Sequence, residues 1–202
     1  MSERAVFLDR DGTINKEVQY LGDEQRLELI GGAAEGIHLL NEAGYQVVVL
    51  TNQAGVARGY FSEKTVERIH QRLQKVLQED GAWLDAVYYC PHHPTEGTSS
   101  YQVDCDCRKP KPGLLVRAAK DLNIDLRQSY VVGDKLSDLE AGYAAGCQGV
   151  LVRTGYGKET EEQFRAHGLK PDYIAEDLRA ACQWIISQNE KHANKAPGHQ
   201  RV

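Results

Sequence analysis

Asp9 and Asp11 stand one residue apart in FLDRDGTIN, at the polar end of the apolar run Ala5–Leu8 and just before Gly12. Carboxylates this close repel unless a cation sits between them or one is protonated. The pair therefore reads either as a hard-cation site or as turn aspartates bonded to backbone amides. Thr51 and Asn52 follow Leu50 in VVVLTNQAGVARG, where a hydroxyl, an amide and the open backbone of Gly55 suit an oxyanion, or simply a turn. Asp134 follows Gly133 in VVGDKLSD, with Asp138 one helical turn on, and is either a ligand or the N-cap of the next helix.

A fourth stretch, CPHHPTEGTSSYQVDCDCRKPKP from Cys90 to Pro112, gathers three of the five cysteines onto a polar loop that ends in basic residues. Cys90, His92, Cys105 and Cys107 form C-x-H-x12-C-x-C. Three thiolates and an imidazole make a closed tetrahedral Zn²⁺ site with no open position, hence a structural one. The spacings are tighter than those of DNA-reading zinc fingers, and His93 competes with His92 as the fourth ligand. Cys147 and Cys182 fall in helical patterns and read as ordinary core residues.

These groups need a frame. Short apolar runs at Ala5–Leu8, Gln46–Leu50, Ala86–Tyr89, Tyr130–Val132, Gly149–Val152 and Tyr173–Ala175 predict strands buried on both faces. Between them, spacing predicts helices at Ala33–Ala43, closed by Gly44, then Ser62–Gln78 with Ser62 as N-cap, Gly113–Leu122, Leu136–Ala145, Glu159–His167 and Asp177–Ser187. The alternation implies an α/β fold with a doubly wound, mainly parallel sheet. Ligands of such sheets bind at the carboxyl ends of strands, where the aspartates and Thr51 fall. One domain over 1–188 is expected, with the 90–112 loop inserted and a polar, disordered tail over 189–202.

A net charge of −5 argues against broad binding to nucleic acid or anionic membranes, so any phosphate must meet a local basic patch. The sequence shows neither a signal-peptide h-region nor an apolar run of about 18 residues. A cytoplasmic protein, monomeric and acting on a small molecule, is the expectation, and reduced thiols there favour metal over disulfides.

FLDRDGT, Thr51, Lys109 in RKPKPG and VGDKLSD together resemble, in order, the four motifs of the haloacid dehalogenase-like phosphatases. The resemblance spans about Ala5 to Gly155. It implies Asp9 as nucleophile and Asp11 as general acid/base, with Thr51 and Lys109 holding the phosphoryl oxygens. It also implies Mg²⁺ held by Asp9, Asp134 and the Asp11 backbone carbonyl. The metal loop before Arg108 and the lack of any cap-sized insertion resemble the capless subgroup that acts on heptose bisphosphates and histidinol phosphate. NQAGVARGYF, GDKLSDLEAG and VLVRTG are nearer to the heptose type. That implies removal of the C7 phosphate of a heptose 1,7-bisphosphate, a step in making nucleotide-activated heptose for lipopolysaccharide or related glycans. Substrate contacts implied are Asp9, Asp11, Glu17, Val18, Gln19, Tyr20, Thr51, Asn52, Gln53, Ala54, Arg108, Lys109 and Lys135. The segment EVQY, Glu17–Tyr20, shares only its tyrosine with the Asp-x-Gly-Tyr of the relatives. Arg108, with a guanidinium fork, is expected to meet the second phosphate. A phospho-accepting receiver domain, which also carries an acidic pocket, Thr and Lys, would place its aspartate after a central strand rather than after the first.

Overall fold

The apolar runs do form strands, and pairing carries several of them past their apolar ends. The computed structural model describes residues 2–98, 100–166 and 170–193, with side chains as far as Gln188. The strands are β1 (Ala5–Leu8), β2 (Gln46–Asn52), β3 (Ala86–Cys90), β4 (Tyr130–Gly133), β5 (Gln148–Val152) and β6 (Tyr173–Ala175). All pair in parallel, in the order β3-β2-β1-β4-β5-β6. β2 runs two residues beyond its predicted end because Thr51 and Asn52 pair with Tyr89 and Cys90 of β3. Thr51 is thus held by the sheet itself.

Seven helices connect the strands among the described residues: α1 (Ala33–Glu42), α2 (Ala54–Ala57), α3 (Glu63–Glu79), α4 (Gly113–Asp121), α5 (Leu136–Ala145), α6 (Gly157–Ala166) and α7 (Leu178–Ala193). Ser62 caps α3 as expected, accepting from the Thr65 amide. The single turn α2 has no periodicity to betray it. α6 begins two residues earlier than predicted, at Gly157, because neither Gly157 nor Lys158 adds an apolar signal; His167 lies outside the described residues. α7 continues to Ala193, so the backbone is helical over the first residues of the predicted tail, and 194–202 lie outside the described residues.

Successive strand residues point to opposite faces, which splits the core in two. Val6, Leu8, Val47, Val49 and Val132 pack beneath Ile37 and Leu40 of α1, Leu73 and Leu77 of α3, and Leu178 and Ile185 of α7. Ala5, Phe7, Val48, Leu50 and Val131 pack against Leu114, Leu115 and Ala118 of α4 and Ala141 of α5. Cys147 and Cys182 are core residues as expected. At about 25 cal/mol per Å² of apolar surface, these fully covered strands dominate the driving force for folding. Between β1 and α1 the described chain forms only a 3-10 turn, Glu24–Arg26, and isolated bridges, so no cap domain covers the sheet. No helix of the described residues is long and apolar enough to cross a membrane.

The chain builds outward from β1 through β2 to β3, then returns to β4 on the other flank of β1. The direction of winding therefore reverses between β1 and β4, where crossover connections diverge and leave a crevice at the carboxyl ends. Asp9 and Asp134 follow these two strands, and the Asp9 amide donates to the Val132 carbonyl at 2.9 Å.

Candidate active site

Lys109 reaches into that crevice from the loop before α4 and is almost wholly buried there. Its Nζ donates to Asp9 Oδ1 at 2.7 Å and to the Leu50 carbonyl at 2.6 Å, and lies 2.7 Å from Asp138 Oδ1. Burial alone would lower the Lys109 pKa; Asp138 and Asp9 outweigh it and raise it, so the ammonium stays charged. Asp138 is committed on both sides, because its Oδ2 accepts from the Lys135 amide at 3.0 Å. Lys135, not Asp134, is the N-cap of α5, so the Asp138 carboxylate, at the third helical position, satisfies the amide of the cap residue. The capping alternative for Asp134 is therefore set aside.

Asp134 is fully buried and only half satisfied. Its Oδ2 accepts from the Tyr156 amide at 2.8 Å, while its Oδ1 has no hydrogen-bond partner among the described residues. The carboxylate sits between two glycines. A Cβ on Gly12, whose φ is +89°, or on Gly155 would come within 2.2 Å of Asp134 Oδ2. Oxygens of Asp9, Asp134 and Asp138 all lie within 4.8 Å of one another. Burial, reinforced by the charge of Asp9, pushes Asp134 up to about 8. Burial likewise pushes Asp9 up to about 6 in spite of Lys109, with Asp138 adding to the rise. Clustered hard oxygens with one buried lone pair unmet are the donor set of a divalent cation such as Mg²⁺.

Asp11 has a different setting. Arg10 Nη2 donates to its Oδ1 and Oδ2 at 2.9 and 2.7 Å, Arg10 Nε donates to Oδ1 at 3.1 Å, and the amides of Asn15 and Gln53 add bonds of 2.9 and 3.0 Å. Burial alone would raise this carboxyl; the Arg10 guanidinium and the two amides outweigh it and hold it below the usual carboxylate range. Gln53 Nε2 also donates to Thr51 Oγ1 at 2.9 Å, so one amide joins the strand-final hydroxyl to Asp11.

Above these groups opens a cavity of about 740 Å³, within the range of small-molecule sites. Asp11, Glu17, Gln19, Tyr20, Asn52, Gln53, Ala54, Arg108, Lys109 and Lys135 line it, together with Ser137 and Tyr156. Asp9 and Thr51 are buried and do not line it; each touches a lining residue, Asp9 through Lys109 and Thr51 through Gln53. Val18 contributes only its carbonyl, which accepts from the Tyr20 amide at 2.8 Å. Gln19 takes the left-handed backbone, φ +65°, that glycine would adopt freely, and Glu17 Oε1 braces the turn by accepting from its amide at 2.6 Å. Glu17 Oε2 pairs with Lys135 Nζ at 3.0 Å, and Tyr20 packs edge-on against Tyr60. The Asn52 side chain is engaged with backbone, donating to the Lys109 carbonyl at 3.0 Å and accepting from the Lys109 amide at 3.1 Å.

The loop behind Lys109 gathers its thiols. Cys90 and Cys105 Sγ are 3.5 Å apart, Cys105 and Cys107 Sγ 3.0 Å, and His92 Nδ1 lies 3.8 and 3.5 Å from Cys90 and Cys107. Ligands 2.3 Å from a tetrahedral Zn²⁺ stand about 3.8 Å apart, so three of these spacings approach that value while Cys105–Cys107 is shorter. His93 is turned away, its Nδ1 facing the Thr95 and Glu96 amides, whereas His92 faces the thiols. Arg108 is tied to this cluster through a 3.1 Å bond from Nη1 to the His92 carbonyl.

A family profile described as HAD-hydrolase-like matches residues 106–181. The D-glycero-D-manno-heptose-1,7-bisphosphate 7-phosphatase of Thermosynechococcus vestitus is 46% identical over 191 residues, 93% of this chain and 97% of that protein. The chain belongs to the heptose-bisphosphate phosphatase family of haloacid dehalogenase-like hydrolases. The Haemophilus ducreyi relative, named as the β-anomer enzyme, is 48% identical over 168 residues, 82% of this chain and 92% of that protein. Among solved structures, D,D-heptose 1,7-bisphosphate phosphatase from B. bronchiseptica, complexed with magnesium and phosphate, superposes with a TM-score of 0.82 at 34% identity, covering 92% of this chain and 99% of that one.

Within this heptose-bisphosphate phosphatase frame, the structure brings every predicted motif to one sheet edge. Asp138, Asn15 and Arg10, which hold the motif residues in place, are functional neighbours that the motifs themselves do not reveal. Asp138 carried a signal, its position one turn after Asp134 at a helix start; Arg10 carried another, a charge set beside an apolar strand.

Raised carboxyl pKa values have a thermodynamic consequence. A carboxyl at about 4 when unfolded and about 6 or 8 when folded binds more protons in the folded state across that window. Without metal, stability should therefore fall as pH rises from about 4 to 8. Thermal melts of chelated protein should show a falling Tm over that range, and Asp134→Asn should flatten the slope and raise the Tm at pH 8; a flat wild-type profile contradicts the charge cluster.

Proposed function

We propose that this chain is a Mg²⁺-dependent phosphatase that removes the C7 phosphate of D-glycero-D-manno-heptose 1,7-bisphosphate through an aspartyl phosphate on Asp9. The observation that carries this reading is the buried group of Asp9, Asp134 and Lys109, with Asp134 Oδ1 unpartnered among the described residues, beside a cavity lined by Lys109, Arg108 and Lys135. Names and structures of close relatives support the substrate.

Asp9, Asp134 and the Asp11 carbonyl would hold Mg²⁺. When bound, the ion neutralises the clustered carboxylates and the incoming phosphate, so that an anionic nucleophile can approach phosphorus. Lys109 fixes Asp9 Oδ1 and is itself fixed by Asp138, which leaves the nucleophile little rotational freedom. A carboxylate oxygen of Asp9 attacks phosphorus as the bond to the C7 oxygen breaks, and Asp11 supplies that oxygen's proton. Asp11 is a base in the free enzyme, so this proton enters with the substrate, whose negative charge raises the affinity of a neighbouring carboxylate for it. Asp11 then takes a proton from water, which displaces phosphate from Asp9. Arg108 and Lys135, with Gln19 and Tyr20, stand where the sugar and its second phosphate would lie.

With heptose 1,7-bisphosphate and Mg²⁺, wild-type protein should release one phosphate per sugar, and Asp9→Asn should lower kcat by about a thousandfold or more. Equal or faster turnover of histidinol phosphate would overturn the substrate assignment.

Cys90, His92, Cys105 and Cys107 would hold Zn²⁺ as a structural staple. Cys105 Sγ accepts from the Arg108 amide, and the Arg108 side chain bonds His92, so zinc would fix the segment that delivers Arg108 and Lys109. Cys107→Ser should lose zinc, measured by elemental analysis, and raise KM by about tenfold, the order seen when groups around a metal are removed. Retained zinc with unchanged kinetics contradicts the coupling.

A further inference from the structure

Arg10 is the largest fully buried side chain among the described residues, and it lies between the two motif aspartates. It pairs with the aspartate next to it. This ion pair between sequence neighbours closes no loop, and the largely buried Asp11 carboxylate has Arg10 as its main charge partner.

The fork has one anchor on a distant element. Arg10 Nη1 is 3.2 Å from Nε2 of His70, which lies on α3 beside the buried Ile69. A guanidinium has only donors, so Nε2 must be the acceptor and the ring proton must sit on Nδ1. Burial, and the Arg10 charge after it, push the His70 pKa down to about 3, so the ring keeps its acceptor at every working pH. The ring is further set against Tyr89 of β3, 5.7 Å between centroids, and Tyr89 donates to Glu63 of α3 at 2.7 Å. Rotation of the guanidinium is thereby opposed from α3, and the Asp11 carboxylate it grips is opposed with it.

We propose that His70 and Arg10 are a positioning pair that aims the Asp11 carboxylate at the scissile oxygen for proton transfer. The inference rests on the phosphatase reading of Asp11 and not on the identity of the sugar. His70 touches neither substrate nor reacting atoms, so it is a positioning residue. Without it Asp11 keeps its charge and its bonds to Asn15 and Gln53 but samples orientations that miss the leaving oxygen.

Leaving-group dependence separates this from a structural role. An alkoxide needs a proton to depart, whereas p-nitrophenolate departs largely without one. kcat/KM covers the steps up to alcohol release, and the ratio of two substrates in one preparation does not depend on the folded fraction. His70→Leu removes the acceptor at similar volume; His70→Gln keeps an acceptor oxygen. With glycerol phosphate and p-nitrophenyl phosphate as probes, His70→Leu should lower the alkyl-to-aryl ratio of kcat/KM by about tenfold, part of the 10²–10⁴ that general acid catalysis supplies, and His70→Gln should restore most of it. An unchanged ratio in His70→Leu, or the same fall in His70→Gln, overturns the proposal. Because neither probe is a heptose, failure of the sugar assignment would appear separately, as no turnover of the bisphosphate by wild-type enzyme.

Discussion

The structure depends on an imbalance of buried charge. Asp9, Asp134 and Asp138 converge at the carboxyl ends of β1 and β4, and among the described residues Lys109 is the one cation in contact with more than one of them. Such a group is stable in a folded protein only if protons or a divalent cation make up the difference. The fold does not relieve this repulsion; it holds it in place. Four β1 residues with no solvent exposure and the Asp9 to Val132 hydrogen bond fix one side, and the bond from the Lys135 amide to Asp138 at the start of α5 fixes the other. A site so arranged takes up a cation and an anionic phosphate together more readily than either alone.

Two supports converge on Lys109 from outside the sheet. Asn52, at the end of β2, bonds both the amide and the carbonyl of Lys109, mimicking a strand neighbour. On the other side Cys105 and His92 hold the backbone and side chain of Arg108. The Cys/His loop and the carboxylate site are thus mechanically joined, although the two groups of candidate metal ligands share no member. Arg10 and His70 play the corresponding part for Asp11, from the opposite wall formed by α3.

Much of this was legible in the sequence because strands buried on both faces are continuous apolar runs, and polar residues at their ends stand out against them. Asp9, Thr51 and Asp134 were found that way, and the thiol spacing exposed Cys90, Cys105 and Cys107. What stayed hidden depends on pairing across distance. Nothing local shows that Asp138 would meet a lysine 29 positions earlier, or that His70, on an amphipathic helix, would face Arg10 and not solvent. Asn52 lines the cavity, but its engagement with Lys109 was hidden because it is set by where the loop returns. Gln19 departs from the expected glycine, yet the backbone keeps the left-handed turn, braced by Glu17, so that conformation outlasts the residue type that makes it easy.

The central claim is that a divalent cation replaces protons in the buried carboxylate cluster. Calorimetric titration with Mg²⁺ at pH 7, repeated in buffers of different ionisation enthalpy, counts the protons released. Asp134, held up to about 8, should give up close to one proton per ion bound, and Asp134→Asn should abolish that release. Tight Mg²⁺ binding by the wild type with no proton released between pH 6 and 8 would contradict the account.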